Sequence, residues 1–205
     1  MLEEPSNRLT PRRRTGFTVI EDELVRMSTL GCPVEIERGR AGETFSRVRG
    51  IVVGVEGNWL ALQALVDSVY FDGYFLLPIR DITAVVEDTE NGYVSSAIEA
   101  LGRPTVDYHL PADASVSSVL QTANAHSRLI ALSIEADDDQ ALFVGKVVER
   151  GSDVFSMLLI NRAGVWSDEP AELEYSDVTR IDFGDRYCAA LARFGDPAPQ
   201  TDDNS

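Results

Sequence analysis

Hydrophobic and polar residues alternate in two stretches of the chain, and the two stretches follow the same order. The first begins at Val34 and Ile36, and the second begins at Leu132 and Ile134. A period of two residues is typical of strands that bury one face. Short apolar runs separated by charged or glycine-containing turns follow in both stretches. We therefore predict about five short strands in each half.

The two stretches also match at a nearly constant separation of about 95 residues. A fixed separation with a conserved order of features indicates an internal repeat. The matched pairs are Gly50 with Gly145, Asp81 with Asp177, Thr83 with Thr179, Val85 with Ile181, and Tyr93 with Tyr187. We interpret these positions as structural. The aspartates are expected to cap a tight turn before the last strand of each half.

Helices are predicted before and after the strands of each half. Residues 18–30 carry apolar side chains at near-helical spacing, and Gly31 then ends the helix. In the second half, Asp113 is the predicted N-cap of a helix with apolar positions from Val116 to Ala123. Apolar stretches that end near residues 102 and 195 predict a terminal helix in each half.

These elements divide the chain into two modules with polar ends. We predict a first module over residues 17–102 and a second over residues 113–195. Residues 103–112 are expected to link them, with prolines near both ends. The polar residues 1–16 and 196–205 are predicted to be disordered tails.

The charge of the chain bears on its partners. It has 34 acidic and 18 basic residues, with a formal net charge of −16. Nucleic-acid affinity rests mainly on Lys and Arg, so this composition argues against a nucleic-acid partner. The one basic cluster, Arg12-Arg13-Arg14, lies in the N-terminal tail. We interpret the excess negative charge as favouring solubility.

The location of the protein is predicted from its cysteines and hydropathy. Cys32 and Cys188 are far apart and too few for a disulfide framework, which favours a reducing compartment. No stretch of about 18 apolar residues is present, so no membrane span is predicted. These observations predict a cytoplasmic protein.

Two sequence patterns recur in both halves. The pattern hydrophobic-x-Gly-x-Val opens a long strand at residues 48–52 and again at residues 143–147. A strand, a short turn and another strand follow at residues 74–86 and residues 171–182. Gly50 and Gly145 suit a tight bend that a side chain would crowd.

These patterns resemble the Sm-like family of small β-barrels, over roughly residues 32–88 and 129–184. The resemblance implies a mainly β fold with short helices. The implied fold consists of two tandem five-stranded barrels of the SH3-like or Sm-like type, each preceded by a short helix and followed by a C-terminal helix. The resemblance also implies assembly through barrel edges.

The chain departs from the RNA-binding members of that family. Those members carry an Asp and an Asn around the middle strand and a basic signature in the last turn. Gln63 and Asn161 are polar residues of the middle strands here, without the Asp/Asn pair. Arg80 lies near the basic position, whereas Tyr175-Ser176 supplies no cation. The resemblance therefore implies the fold without the RNA site.

One aromatic segment is the candidate binding feature. Asp72-Gly73 is predicted to form a hairpin turn, because Asp-Gly favours tight turns. The aromatic side chains could bind a protein partner, or they could cap a barrel and cover the contact between the modules. The candidate partner-binding residues are Tyr70, Phe71, Tyr74, Phe75 and, in the second half, Trp166.

No catalytic, metal or cofactor site is predicted. The two cysteines and two histidines, His109 and His126, form no nucleophile–base pair in their local segments. No phosphate-binding loop or zinc motif is present. Residues 137–139 are three aspartates that lack the ligand spacing of a calcium loop, and we predict a solvated turn.

Three functions follow as hypotheses. The first is a non-enzymatic protein-binding or scaffold module that uses barrel edges to bind a partner or a second copy. The second is an acidic inhibitor or immunity-type protein that neutralises a basic partner. The third is a diverged RNA-binding Sm-like protein with residues 12–14 as its basic arm.

Overall fold

The computed structural model describes residues 17–40, 43–88, 92–136 and 139–199. Within these ranges the chain forms four α-helices and ten β-strands. The helices are α1 (Phe17–Leu30), α2 (Tyr93–Leu101), α3 (Val116–His126) and α4 (Arg186–Phe194). The strands of the first half are β1 (Pro33–Arg40), β2 (Glu43–Glu56), β3 (Trp59–Val66), β4 (Tyr70–Pro78) and β5 (Ile82–Glu87). Those of the second are β6 (Ile130–Ala136), β7 (Asp139–Arg150), β8 (Val154–Leu159), β9 (Ala171–Glu174) and β10 (Val178–Phe183).

All ten strands belong to one antiparallel sheet in the order β5-β1-β2-β3-β4-β10-β6-β7-β8-β9. The prediction of a mainly β fold with short helices is confirmed. The predicted pair of closed barrels is not confirmed, because the sheet is open. The edge of β4 pairs with β10 of the other half instead of closing the first half on itself.

The two halves have the same strand order and share two of their bulges. A bulge interrupts β2–β3 pairing between Val52 and Gly54, and another interrupts β7–β8 pairing between Val147 and Glu149. Gly50 pairs with Val34 in the first half, as Gly145 pairs with Ile130 in the second. The counterpart of Val34 is therefore Ile130, so the sequence comparison began the second half two residues too late, at Leu132.

The last strand of each half begins in the same way. Short 3-10 turns, Ile79–Asp81 and Tyr175–Asp177, precede β5 and β10. Thr83 and Thr179 follow at equivalent bulges, and each hydroxyl donates to a carbonyl of the neighbouring strand. Asp81 is almost fully buried at the end of its turn.

Capping residues set the ends of the helices. The Gly31 N–H donates to the carbonyl of Met27, and the left-handed backbone of Gly31 (φ +63°) ends α1. Helix α3 begins after Ser115, whose side chain accepts the Ser118 N–H. The prediction that Asp113 is its N-cap is therefore wrong. Asp113 lies too far upstream, because Ala114 adopts a turn conformation (φ +42°) before the helix.

The hydrophobic core has several parts, and the largest one spans both halves. It joins Trp59 and Tyr74 of the first half to α3 and to Ile181 of the second. A second core lies under α1, where Leu24 and Met27 are fully buried. Two smaller clusters bury the inner faces of α2 and α4.

Candidate functional site

The most distinctive contact in the molecule joins the two halves along β4 and β10. Residues Tyr74–Leu76 pair with residues Ile181–Phe183 in antiparallel register. We call this contact the seam. It makes the sheet continuous, and side chains from four elements pack around it.

An aromatic cluster covers one face of the seam. Its rings belong to Tyr74, Tyr108, His126 and Phe183, with centroids 4.8 to 5.9 Å apart. The Tyr74 hydroxyl donates to Asp107 Oδ1 at 2.6 Å. Burial, with this bond, raises the pKa of Tyr74, while the Tyr74 hydroxyl lowers the pKa of Asp107. Aromatic pairs at these separations add to the energy of burial.

The segment predicted as a linker, residues 103–112, packs against the first half. Gln63 Nε2 donates to the carbonyl of Pro104, and Arg103 Nε donates to Gln63 Oε1. Tyr108 is buried in the aromatic cluster. The segment therefore holds the halves together by contact as well as by covalent connection.

Two arginines of the first half, Arg38 and Arg80, donate hydrogen bonds to backbone carbonyls of the second half near the start of β10. Arg38, with 0% of its surface exposed, donates from Nη2 to the carbonyl of Thr179 at 2.7 Å. Its Nη1 donates to Ser46 Oγ at 2.9 Å. Arg80 donates to the carbonyl of Ser176 at 3.0 Å. The basic position of the last turn in the first half thus serves a contact with the second half.

An ion pair on β10 lies at the centre of this region. Arg180 Nε and Asp182 Oδ1 are 2.8 Å apart, and the Arg180 guanidinium lies over the ring of Phe75 at 5.2 Å. Burial raises the pKa of Asp182 to about 6 even though Arg180 acts to lower it. The cost of removing the carboxylate from water therefore exceeds the benefit of the pairing.

The predicted aromatic hairpin tip is wrong. The turn between β3 and β4 contains Asp67 and Ser68, both with positive φ, and Asp72-Gly73 lies inside β4. Gly73 is required for another reason: a Cβ there would lie 2.3 Å from the carbonyl oxygen of Phe183. Asp72 accepts the Arg186 N–H at 2.8 Å, which ties β4 to the start of α4.

The candidate partner-binding residues have different environments. Tyr74 is buried in the seam, Phe75 is half-buried beneath Arg180, and Phe71 packs against the α2 cluster. Tyr70 is exposed. Trp166 packs beside α4, and its indole N–H donates to the carbonyl of Asp196.

The matched tyrosines lie at the beginnings of equivalent helices. Tyr93 is the first residue of α2, and Tyr187 is the second residue of α4. Both are exposed, so burial in a core does not explain their recurrence.

Two strands lie at the ends of the sheet. In the described part of the chain, β5 pairs only with β1, and β9 pairs only with β8. Such edges present backbone N–H and C=O groups to any strand of suitable shape. Val86 on β5 is 49% exposed.

A cleft of about 520 Å³ opens near the start of β2 and reaches Phe75 and Arg180. Its arginines already have carboxylate partners. Arg47 lies 2.7 Å from Glu37, and Arg49 lies 2.9 Å from Glu35. An anionic ligand would have to displace these carboxylates.

The thiols are poor nucleophiles at neutral pH. Burial raises the pKa of Cys32 and raises that of Cys188 further, where Asp185 adds to the effect.

Within the described ranges, no group of three His, Cys, Asp or Glu side chains is arranged to hold a metal ion. Two of the three clustered aspartates, Asp137 and Asp138, lie outside those ranges, as do residues 1–16 and 200–205. Among the described helices, none combines the length and hydropathy needed to cross a membrane.

No family model, curated protein or solved structure matches the chain. A proposal for its function therefore rests on its own contacts.

The residues of the seam were mostly missed by sequence reasoning. Arg38 continues the inward alternation of Val34 and Ile36, and a charged residue at an inward position was the available signal. Asp107 and His126 carried no such signal, because their partners come from β4 and β10.

Proposed function

We propose that the chain is a tandem pair of Sm-like units that acts as a non-enzymatic protein-binding scaffold through the outer edges of its sheet. The observation that carries this proposal is the seam. Inside one chain, an edge strand of one half already binds an edge strand of the other. The repeated strand order, bulges and turns support the tandem assignment.

The two outer strands, β5 and β9, are equivalent to the two strands that pair in the seam. β5 is the counterpart of β10, and β9 is the counterpart of β4, by their places in the repeated strand order. A strand added at either edge would gain backbone hydrogen bonds in the way that the seam does. The raised pKa values of Cys32 and Cys188 argue against either thiol as a nucleophile at neutral pH.

Site-specific photo-crosslinking in the native host tests this function. The crosslinking amino acid benzoylphenylalanine is placed at Val86 on the β5 edge, at Glu172 on the β9 edge, and at Val25 on α1 as an equally exposed control. We expect a covalent adduct of discrete mass at an edge position and none at Val25. Adducts that are missing at both edges, or equally abundant at Val25, would contradict edge binding.

The acidic-inhibitor hypothesis keeps some support from the carboxylates at the ends of the sheet, including Glu87, Glu172 and Glu174. Contacts governed by charge weaken as salt screens them. Adducts at Val25 as well as at the edges, all of them lost at high salt, would favour that function. An edge adduct that persists at high salt would favour strand pairing.

A further inference from the structure

The free strand β5 repeats the seam strand β10 with different residues. Val85 and Glu87 stand where Ile181 and Phe183 stand in the seam. The registers that establish this are Ile36–Val85 and Val34–Glu87 in the first half, and Leu132–Ile181 and Ile130–Phe183 in the second. A buried aromatic position of the seam is therefore a carboxylate at the free edge.

The free strand β9 repeats the seam strand β4 in the same way. Ala61 and Ser156 are equivalent, because each is the first paired residue after the matching bulge of its half. Ala61 pairs with Leu76, and Ser156 pairs with Glu172. Glu172 therefore takes the place of Leu76, and Pro170 takes the place of Tyr74. A proline has no N–H to donate to a ladder, and a glutamate resists burial.

These replacements oppose a repeat of the seam between two copies of the chain. In the register of the seam, β9 of a second copy would place Glu172 opposite Val85, and the preceding Pro170, just outside β9, would lie opposite Glu87. Glu172 and Glu87 would then be diagonal neighbours across the new ladder, where like charges repel. The internal seam has apolar or aromatic pairs at these positions: Leu76 with Ile181, and Tyr74 with Phe183.

The surface beside β5 shows what it could accept instead. Helix α1 corresponds to α3, because the buried Leu24 and Met27 of α1 match the buried Leu120 and Ala123. Leu30 then takes the place of His126, whose ring contacts Tyr74 across the seam. Leu30 is 54% exposed. The β5 edge therefore has an apolar side chain at the position where His126 contacts Tyr74 in the seam, and this side chain is open to a docked strand.

Charge around β5 is net negative. Glu87 lies 3.9 Å from Arg26, which bonds more closely to Glu23 at 2.7 Å. Outward-facing neighbours on β1 and β2 form further ion pairs. The charged groups on the elements around β5 include the carboxylates of Glu23, Glu35, Glu37, Asp81, Glu87 and Asp88 and the guanidiniums of Arg26, Arg38, Arg47, Arg49 and Arg80.

We propose that β5 docks an extended segment of a different polypeptide that carries Lys or Arg opposite Glu87 and apolar residues toward Val85 and Leu30. The cation pairs with Glu87, whose contact with Arg26 is long at 3.9 Å because Arg26 bonds more closely to Glu23. The backbone ladder follows the seam. The like charges and the proline disfavour the β9 end of a second copy as the occupant. This inference rests on the proposed edge-binding function and specifies the occupant of one edge.

The chain supplies its own probe, because β4 is the strand that β10 already binds. Two labelled peptides cover residues 70–78, one with Tyr74→Lys and the other with Tyr74→Glu, and fluorescence anisotropy measures their binding to the full chain. We expect the lysine peptide to bind roughly tenfold more tightly, since opposite charges across a ladder attract and like charges repel. Glu87→Gln should remove the preference, and Glu87→Lys should reverse it.

Glu172→Lys on the other edge is the matched control and should leave the preference unchanged. Lack of saturable binding, equal binding of the two peptides, or a preference that survives Glu87→Lys would overturn the proposal. Binding of a peptide in place of β4 at the seam would give a preference independent of Glu87.

Light scattering at low and high salt separates this inference from the function on which it rests. We expect a monomer at both salt concentrations. A discrete oligomer crosslinked from Val86 to a second copy would leave edge binding standing and overturn the choice of a different polypeptide. Missing edge adducts in the crosslinking experiment would overturn edge binding itself.

Discussion

At the scale of the residue, Gly50 and Gly145 show how closely neighbouring strands approach in each half. A Cβ on Gly50 would lie 2.6 Å from the carbonyl oxygen of Gln63, and one on Gly145 would lie 2.0 Å from that of Leu158. Both obstacles are backbone atoms, which cannot rotate away as a side chain could. The recurrence of glycine therefore reflects a steric requirement that both halves share.

We expect Gly50→Ala and Gly145→Ala each to lower the free energy of unfolding by more than about 2 kcal/mol, because the strands must move apart. Gly54→Ala on the same strand as Gly50 is the control. Its Cβ would lie 3.7 Å from the nearest atom, an ordinary contact, and should cost less than about 1 kcal/mol. Urea denaturation followed by circular dichroism measures all three. Equal losses for Gly54→Ala and Gly50→Ala would refute the steric explanation.

Some residue roles could be predicted from the sequence and others could not. Gly50 and Gly145 stand out because a repeat displays the same local requirement twice. Asp72-Gly73 misled the prediction because its requirement comes from β10 and α4, more than a hundred residues later. A local pattern records local geometry, and Asp-Gly serves a tight turn and a close backbone approach equally well.

At the scale of the element, β10 is the strand on which the two halves depend. Asp182 lies beside Phe75 in the ladder, and burial holds its pKa above the ordinary value, at about 6. Between pH 4 and pH 6 the folded chain therefore binds a proton that the unfolded chain releases. This proton makes a contribution to stability that grows as the pH falls through 6 and reaches its full size near the unfolded pKa.

We expect the unfolding midpoint of the wild type to fall as the pH is raised from 5 to 7.5, and Asp182→Asn to remove most of that slope. A shift of about two pKa units corresponds to at most about 3 kcal/mol. Asp168→Asn, at an exposed carboxylate, is the control and should keep the wild-type slope. Urea titrations across this pH range supply the measurement. An unchanged slope in Asp182→Asn would assign the pH dependence to other groups.

The number of strands was predicted more reliably than their boundaries or their partners. Gly31 ended α1 as its conformational freedom suggested, and five strands occur in each half. Periodicity identifies a strand by its two faces but carries no information about which distant strand lies beside it. The pairing of β4 with β10 thus followed from no pattern in either strand.

At the scale of the whole molecule, the continuous sheet and the shared core couple the two halves. Trp59 and Tyr74 of the first half share one apolar cluster with Leu132 and Phe183 of the second. Separating the halves would expose this cluster and break the β4–β10 ladder. The energetic cost of that exposure is spread over both halves.

We therefore expect one cooperative thermal transition, with calorimetric and van't Hoff enthalpies in agreement. Gly50→Ala and Gly145→Ala, in different halves, should shift this same transition. Differential scanning calorimetry of the wild type and both variants provides the measurement. Two resolved transitions, each moved by only one of the variants, would show that the halves unfold independently.

The long separation of β4 and β10 along the chain has a consequence for protein synthesis. Leu76 leaves the ribosome about a hundred residues before its partner Ile181, a delay of roughly 5–20 s at ordinary rates of translation. Throughout that interval the nascent first half presents a bare strand edge and the apolar side chains that β10 and α3 later cover. The first half thus stays open to contacts with its neighbours on the polysome until β10 has been made, and slow codons between β5 and β10 would lengthen its exposure.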